Sequence, residues 1–140
     1  MSDNLMDNWK QSELWRRHGR GFVIEVNHFT VSTFYPTEGE HRWCVYAYIY
    51  PKHRHFKNFN GNEMWQDAAS MMPMHGGPTF FKWHRNNDGE ITSVQVGCDY
   101  NHIYDDSYTF CKNAGEAYSV FLDADDLFTW LDEHPMGEDK

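Results

Sequence analysis

The segment at residues 41–50, His-Arg-Trp-Cys-Val-Tyr-Ala-Tyr-Ile-Tyr, constrains this chain more than any other. Trp43, Val45, Ala47 and Ile49 fall on one side of a period-two pattern, and Cys44, Tyr46, Tyr48 and Tyr50 fall on the other. Only an extended strand separates side chains in that way. Both sides are apolar or aromatic, which predicts a central strand covered on both faces. The apolar run ends at Pro51 and is roughly a third of the ~20 residues a membrane span needs.

Other elements follow from weaker signals. Leu5, Trp9, Leu14 and Trp15 suggest an amphipathic helix over 4–18, with Gly19 as its stop. Phe22, Ile24 and Val26 alternate with Val23, Glu25 and Asn27, so 20–33 reads as a strand. A turn containing Gly39 is expected at 36–40. Residues 52–61 form a basic, aromatic loop. Residues 62–72 read as a helix with Met64, Ala68 and Met71 on one face, until Pro73 breaks it. The turn Asn86-Asn87-Asp88-Gly89 joins predicted strands at 78–85 and 90–100. Residues 101–115 read as irregular, with a short strand near 107–111. Asp123 opens a final helix whose buried stripe is Leu127, Trp130 and Leu131. The expected architecture is a single α+β domain over 1–140. It has an N-terminal helix within 1–19 and, over 20–111, an antiparallel sheet of about four strands in two hairpins with an inserted helix. A C-terminal helix and acidic tail occupy 112–140, and two or three helices pack on the sheet.

Length and composition agree with one globular core: 140 residues, 40% apolar, 17% aromatic and 24% charged. A membrane protein, a disordered linker, a coiled coil and a disulfide scaffold are all excluded on this reading. The first twenty residues are polar and of mixed charge, so neither a secretory signal nor a lipid anchor is expected. Cys44, Cys98 and Cys111 are odd in number and widely spaced, which suits a reducing cytoplasm. The net charge of −9 is uneven: residues 1–60 hold eight Lys/Arg against six Asp/Glu, and 61–140 hold four against fifteen. Such a chain does not read as a general nucleic-acid binder. Its acidic part either keeps the protein soluble or docks on a basic partner.

The chain has nine histidines, and four of them fall in three clusters that stand out. These are Lys52-His53-Arg54-His55, then His75-Gly76-Gly77-Pro78-Thr79, then Gly97-Cys98-Asp99-Tyr100-Asn101-His102 followed by Asp105 and Asp106. A hairpin turning near Asp88 pairs positions whose numbers sum to about 176. Gly77 is then expected opposite Asp99 and His75 opposite Asn101, which brings the second and third clusters together. Gly97, on the face of Gln95 and Asp99, would leave room for a ligand or another backbone. Glycines 76 and 77 would present backbone N–H groups to an anion. His53, Arg54 and His55 would add charge-assisted hydrogen bonds, and Tyr46, Tyr48, Tyr50, Phe56 and Tyr100 would stack on a flat base. The plainer alternative is that the glycines make a turn and the tyrosines half of a core.

These same residues carry a resemblance to a family of short uncharacterised proteins found mainly in bacteriophages and prophages. The likeness spans about residues 42–106. It consists of the cysteine-and-tyrosine strand leading to Pro51-Lys52-His53, the H-G-G-x-T of His75 to Thr79, and a G-x-D-x-x-H-x-x-D made by Gly97, Asp99, His102 and Asp105. The family reads H-G-G-L-T, has a smaller residue where Tyr100 stands, and has P-x-x-H-P where this chain has Pro51-Lys52-His53-Arg54-His55. The resemblance implies a phage accessory protein of the host cytoplasm, of the sort that counters host defence, and it implies no particular chemistry.

Three functions are therefore expected in order. The first is a binding protein that captures a small anionic, nucleotide-like ligand with His53, Arg54, His55, His75, Gly76, Gly77, Thr79, Gly97, Asp99 and His102, without a cofactor. The second is a hydrolase with a zinc, iron or manganese ion held by His75, Asp99 and His102, and Asp105 as fourth ligand or base. The third is an acidic inhibitor of a host protein acting through the helix at 123–134.

Overall fold

The computed structural model describes residues 14–33, 38–59, 72–100 and 105–133. Five strands form one antiparallel sheet: β1 (Leu14–His18), β2 (Phe22–Thr30), β3 (His41–Ile49), β4 (Phe80–Arg85) and β5 (Ile91–Asp99). Their spatial order is β1-β2-β3-β5-β4. One α-helix, α1 (Tyr118–Asp132), and two 3-10 turns at Arg54–Asn58 and Asp106–Phe110 complete the described elements. The mixed α and β class agrees with the sequence reading. The strand number is five rather than about four, and the described residues hold one α-helix rather than two or three.

The extra strand comes from the segment read as a helix. Leu14–His18 pairs with β2, Trp15 opposite Val26 and Arg17 opposite Ile24. Trp15 stacks on Trp43 at 5.8 Å and meets Phe121 edge-on at 5.2 Å. Burial of one large aromatic against the sheet outweighs a modest helical periodicity. Residues 4–13 of that expected helix, and 62–71 of the inserted one, lie outside the described residues. Met72 is buried and stands outside any helix. The strand expected at 107–111 is instead a 3-10 turn, anchored where the Trp43 indole donates to the Cys111 carbonyl at 3.1 Å. The last helix begins at Tyr118, not Asp123. A side-chain turn leads into it, with Asn113 accepting from the Glu116 N–H and Glu116 accepting from the Lys112 N–H.

The core lies on one face of the sheet. Phe22, Ile24, Val26, Trp43, Val45, Ala47, Ile49, Val94 and Val96 point there and are buried beneath Val120, Phe121, Ala124, Leu127 and Leu131 of α1. Trp130, expected in that stripe, is half-buried and packs edge-on against His55. The first 3-10 turn extends the cover over β4, where Phe59 packs on Phe81 and Trp83. β3 is central as expected, and among the described residues no helix covers its second face, hereafter the uncovered face. On the other face Tyr46 and Tyr48 are only half-buried and Tyr50 is 39% exposed.

Candidate functional site

The expected site at His75 is a built arrangement, though not the one the sequence suggested. The Gly77 N–H returns to the Met74 carbonyl at 3.0 Å, closing a turn. Gly76 has φ 69°, the positive value a type II turn requires at its third position. Gly77 follows at φ 82°, and a Cβ there would touch nothing. These glycines supply conformation rather than a cradle. The His75 ring lies flat on Tyr100, 4.3 Å between centroids, and meets Tyr108 edge-on. Its Nε2–H donates to both oxygens of buried Asp105 at 2.9 and 3.0 Å. The His75 backbone N–H donates to the Cys98 sulfur, and the Tyr100 hydroxyl donates to Asp123 at 2.7 Å. Burial first, and the neighbouring Cys98 and Asp123 next, push the Tyr100 phenol well above its ordinary range.

A cleft of about 280 Å3 opens beside His75 and is lined by Pro73, Met74, Asp123 and Asp126. An anion placed there meets two carboxylates, so the electrostatics oppose the expected phosphate contact. Thr79 spends its N–H on the Gly97 carbonyl at 2.8 Å.

Asp99 is elsewhere. Phe80 to His84 pair with Gly97 to Ser93, so the position numbers sum to 177, and a bulge between His84 and Arg85 restores 176 near the turn. A slip of one residue exchanges the faces of a strand. Extended along the chain, the observed register sets Tyr100 rather than Asp99 against Gly77. Asp99 pairs opposite Cys44 on the uncovered face, while Cys98 and Tyr100 carry His75 on the covered one. His102 and Asn101 lie outside the described residues. Among the described residues no three His, Cys, Asp or Glu side chains are grouped to hold a metal ion.

The basic loop is turned inward. His53 and His55 are each 2% exposed. His53 Nδ1 accepts the His55 N–H at 3.0 Å, so its Nε2 carries the proton and donates to the Leu131 carbonyl at 2.9 Å. In this geometry His53 is neutral and ties the 3-10 turn to the end of α1. His55 receives the Asn58 amide and packs edge-on against Phe59 and Trp130. Only Arg54 of the three is partly exposed at the surface.

The uncovered face gathers a different set. Reading the ladder across, it carries Arg16 and His18 from β1, Val23, Glu25, Asn27 and Phe29 from β2, and Arg42, Cys44, Tyr46 and Tyr48 from β3. Gln95, Gly97 and Asp99 of β5 and Phe80, Lys82 and His84 of β4 complete it. Glu25 is 4% exposed and is satisfied by Arg16 Nε at 2.9 Å, Asn27 at 2.9 Å and the Tyr48 hydroxyl at 3.5 Å. Burial, with the Glu25 carboxylate beside it, pushes the Tyr48 phenol up, so it stays a donor. His84 and Gln95 bond at 2.7 Å. The space above Gly97 is occupied: a Cβ there would stand 2.3 Å from the Tyr46 ring, which lies over the glycine and meets Phe80 edge-on. A cleft of about 310 Å3 is lined by Arg16, His18, Val23, Glu25, Tyr48 and Tyr50. A second, of about 210 Å3, is lined by Phe29, Val31, Arg42, Trp43, Cys44 and Asp99.

Sequence reasoning found the tyrosines of this face and missed Arg16, His18 and Glu25. A single acidic residue between Ile24 and Val26 was the available signal, since a carboxylate inside a strand marks its polar side. Comparison of the chain with protein-family models, with curated proteins and with solved structures returned no match in any of the three.

Proposed function

We propose that this chain is a small binding protein that captures an anionic, nucleotide-like ligand, and that the ligand sits on the uncovered sheet face. The observation that supports this most is the 310 Å3 cleft in which Arg16 and His18 stand beside Tyr48 and Tyr50. Its volume is at the lower end of the ~300–1,000 Å3 usual for small-molecule sites. Tyrosine rings suit a flat base, and a guanidinium suits a phosphate. Arg16 engages Glu25 through Nε, and its terminal nitrogens have no partner among the described residues. The likeness of residues 42–106 to phage and prophage proteins supports a counter-defence role for such capture in the host cytoplasm.

Titration calorimetry with nucleoside monophosphates, diphosphates and cyclic nucleotides tests the proposal. Arg16→Gln is expected to weaken a bound nucleotide by about tenfold, in line with losing one charge-assisted hydrogen bond. His75→Ala is expected to leave affinity unchanged. A nucleotide whose binding is insensitive to Arg16→Gln but lost in His75→Ala would return the site to the glycine turn. Absence of any binding at millimolar nucleotide would end the reading.

A further inference from the structure

The uncovered face holds two clefts rather than one, and they lie toward opposite ends of the same strands. The first contains Val23 and the second Phe29 of β2. Six residue steps at ~3.4 Å put them about 20 Å apart, beyond the reach of one mononucleotide. Each pairs an arginine with an exposed aromatic: Arg16 with Tyr50, 39% exposed, and Arg42 with Phe29, 46% exposed. Between them stands Tyr46, half-buried, with Phe80, 37% exposed, beside it.

Charge is distributed in the same sense. Among the described strand residues, Arg16, Arg42 and Lys82, with His18 and His84, share this face with Glu25 and Asp99, and Glu38 adjoins it at Arg42. Glu25 is neutralised by Arg16, and Arg42, whose side chain is 12% exposed, is held by Glu38 at 3.0 Å and by the Gly39 and His41 carbonyls at 2.8 and 3.0 Å, so Arg16 and Lys82 are the cations with capacity left for phosphate. Five of the 21 acidic residues, Asp123, Asp125, Asp126, Asp132 and Glu133, belong to α1 and its C-terminal end on the far side of the sheet.

An open antiparallel sheet bearing aromatic side chains in adjacent positions, with cations among them, matches the chemistry of an unpaired nucleic-acid strand. Successive bases lie on the rings, and phosphates meet the cations. We infer that the ligand of this face is a short single-stranded oligonucleotide that runs from the Arg16–Tyr50 cleft to the Arg42–Phe29 cleft. This rests on the nucleotide-capture reading and extends it from one cleft to two.

Fluorescence anisotropy with a labelled eight-nucleotide single strand, in parallel with calorimetry of a mononucleotide, tests it. The oligonucleotide is expected to bind at least tenfold tighter than the mononucleotide, and its affinity to fall as salt rises. Phe29→Ala is expected to weaken the oligonucleotide by about tenfold, as loss of one stacking ring does, and to leave the mononucleotide unaffected. Phe29 is exposed, so the variant is expected to fold, which circular dichroism checks. If the oligonucleotide binds no tighter than the mononucleotide, or ignores Phe29→Ala, the two-cleft inference is overturned while nucleotide capture stands. If neither binds, both are overturned.

Discussion

On the helix side of the sheet, the histidines and Tyr100 are closed upon their neighbours, while the buried indole N–H groups of Trp15 and Trp83 have no partner among the described residues. His53 bridges the first 3-10 turn to the Leu131 carbonyl, His75 is held by Asp105 and Tyr100, and Tyr100 is held by Asp123. On the uncovered side, one buried carboxylate is satisfied, and around it remain arginine, histidine and tyrosine groups facing two clefts. Both sides are rich in histidine and tyrosine, so residue type does not distinguish them. Accessibility does: His53 and His55 are each 2% exposed, whereas Tyr50 and Phe29 are 39% and 46% exposed. A buried, hydrogen-bonded network rigidifies and positions, whereas accessible groups at a concave surface can meet a ligand.

The largest expected effect probes the closed side by alkali. Burial pushes the Cys98 thiol from its ordinary 9.0 to about 12, with a small opposing influence from the His75 N–H. Below pH 9 both folded and unfolded chains hold this thiol neutral, and its contribution is fully present. Between pH 9 and 12 only the unfolded chain ionises, so stability falls as pH rises, by about 1.4 kcal/mol per unit and on the order of 4 kcal/mol in total. Cys44 and Tyr100 shift in the same direction. Urea unfolding at pH 8 and pH 11 measures this, and Cys98→Ala should flatten the dependence. A midpoint that does not move would contradict a sealed helix side.

Next in size is His53→Ala, which removes a fully buried ring and two hydrogen bonds. A loss of about 2–3 kcal/mol is expected from chemical denaturation. Nucleotide affinity, measured below the unfolding midpoint, should not change. If affinity falls while stability holds, His53 belongs to a binding site and the contrast between the two faces breaks. The smallest effect, about 1–2 kcal/mol, is expected for Gly97→Ala, where the new methyl forces the Tyr46 ring aside. The same substitution should alter binding on the uncovered face, because Tyr46 stands between its two clefts. Unchanged stability with unchanged binding would mean that the ring moves freely and contributes to neither.

Much of the sheet was legible in the chain. Strict alternation at 41–50 and the Asn86–Gly89 turn give β3 and the β4–β5 hairpin because each is a local signal. The strand at Leu14–His18 was not legible, since Trp15 has the same helical spacing from Leu5 and Trp9 whether or not a sheet edge awaits it. The site was legible by type and not by place. Pairing Gly77 with Asp99, and His75 with Asn101, depended on a register that a single bulge at His84/Arg85 displaces by one residue. That displacement is sub-local and no composition rule reveals it. The inward turn of His53 and His55 depends on the end of α1, nearly eighty residues away, which no neighbouring residue encodes.

The strand order has a consequence for how the chain is made. β1, β2 and β3 form a meander of neighbours in sequence, and β4 with β5 form a hairpin of their own, but the two halves join only where β3 meets β5. Local pairings close quickly and distant ones slowly. A ribosome emerging from β3 therefore exposes a three-stranded sheet whose growing edge, from Cys44 to Ile49, has unsatisfied backbone groups until β5 has been synthesised about fifty residues later. That interval is when the nascent chain is most open to pairing with a second copy of itself, and slower translation through the intervening segment would lengthen the exposure.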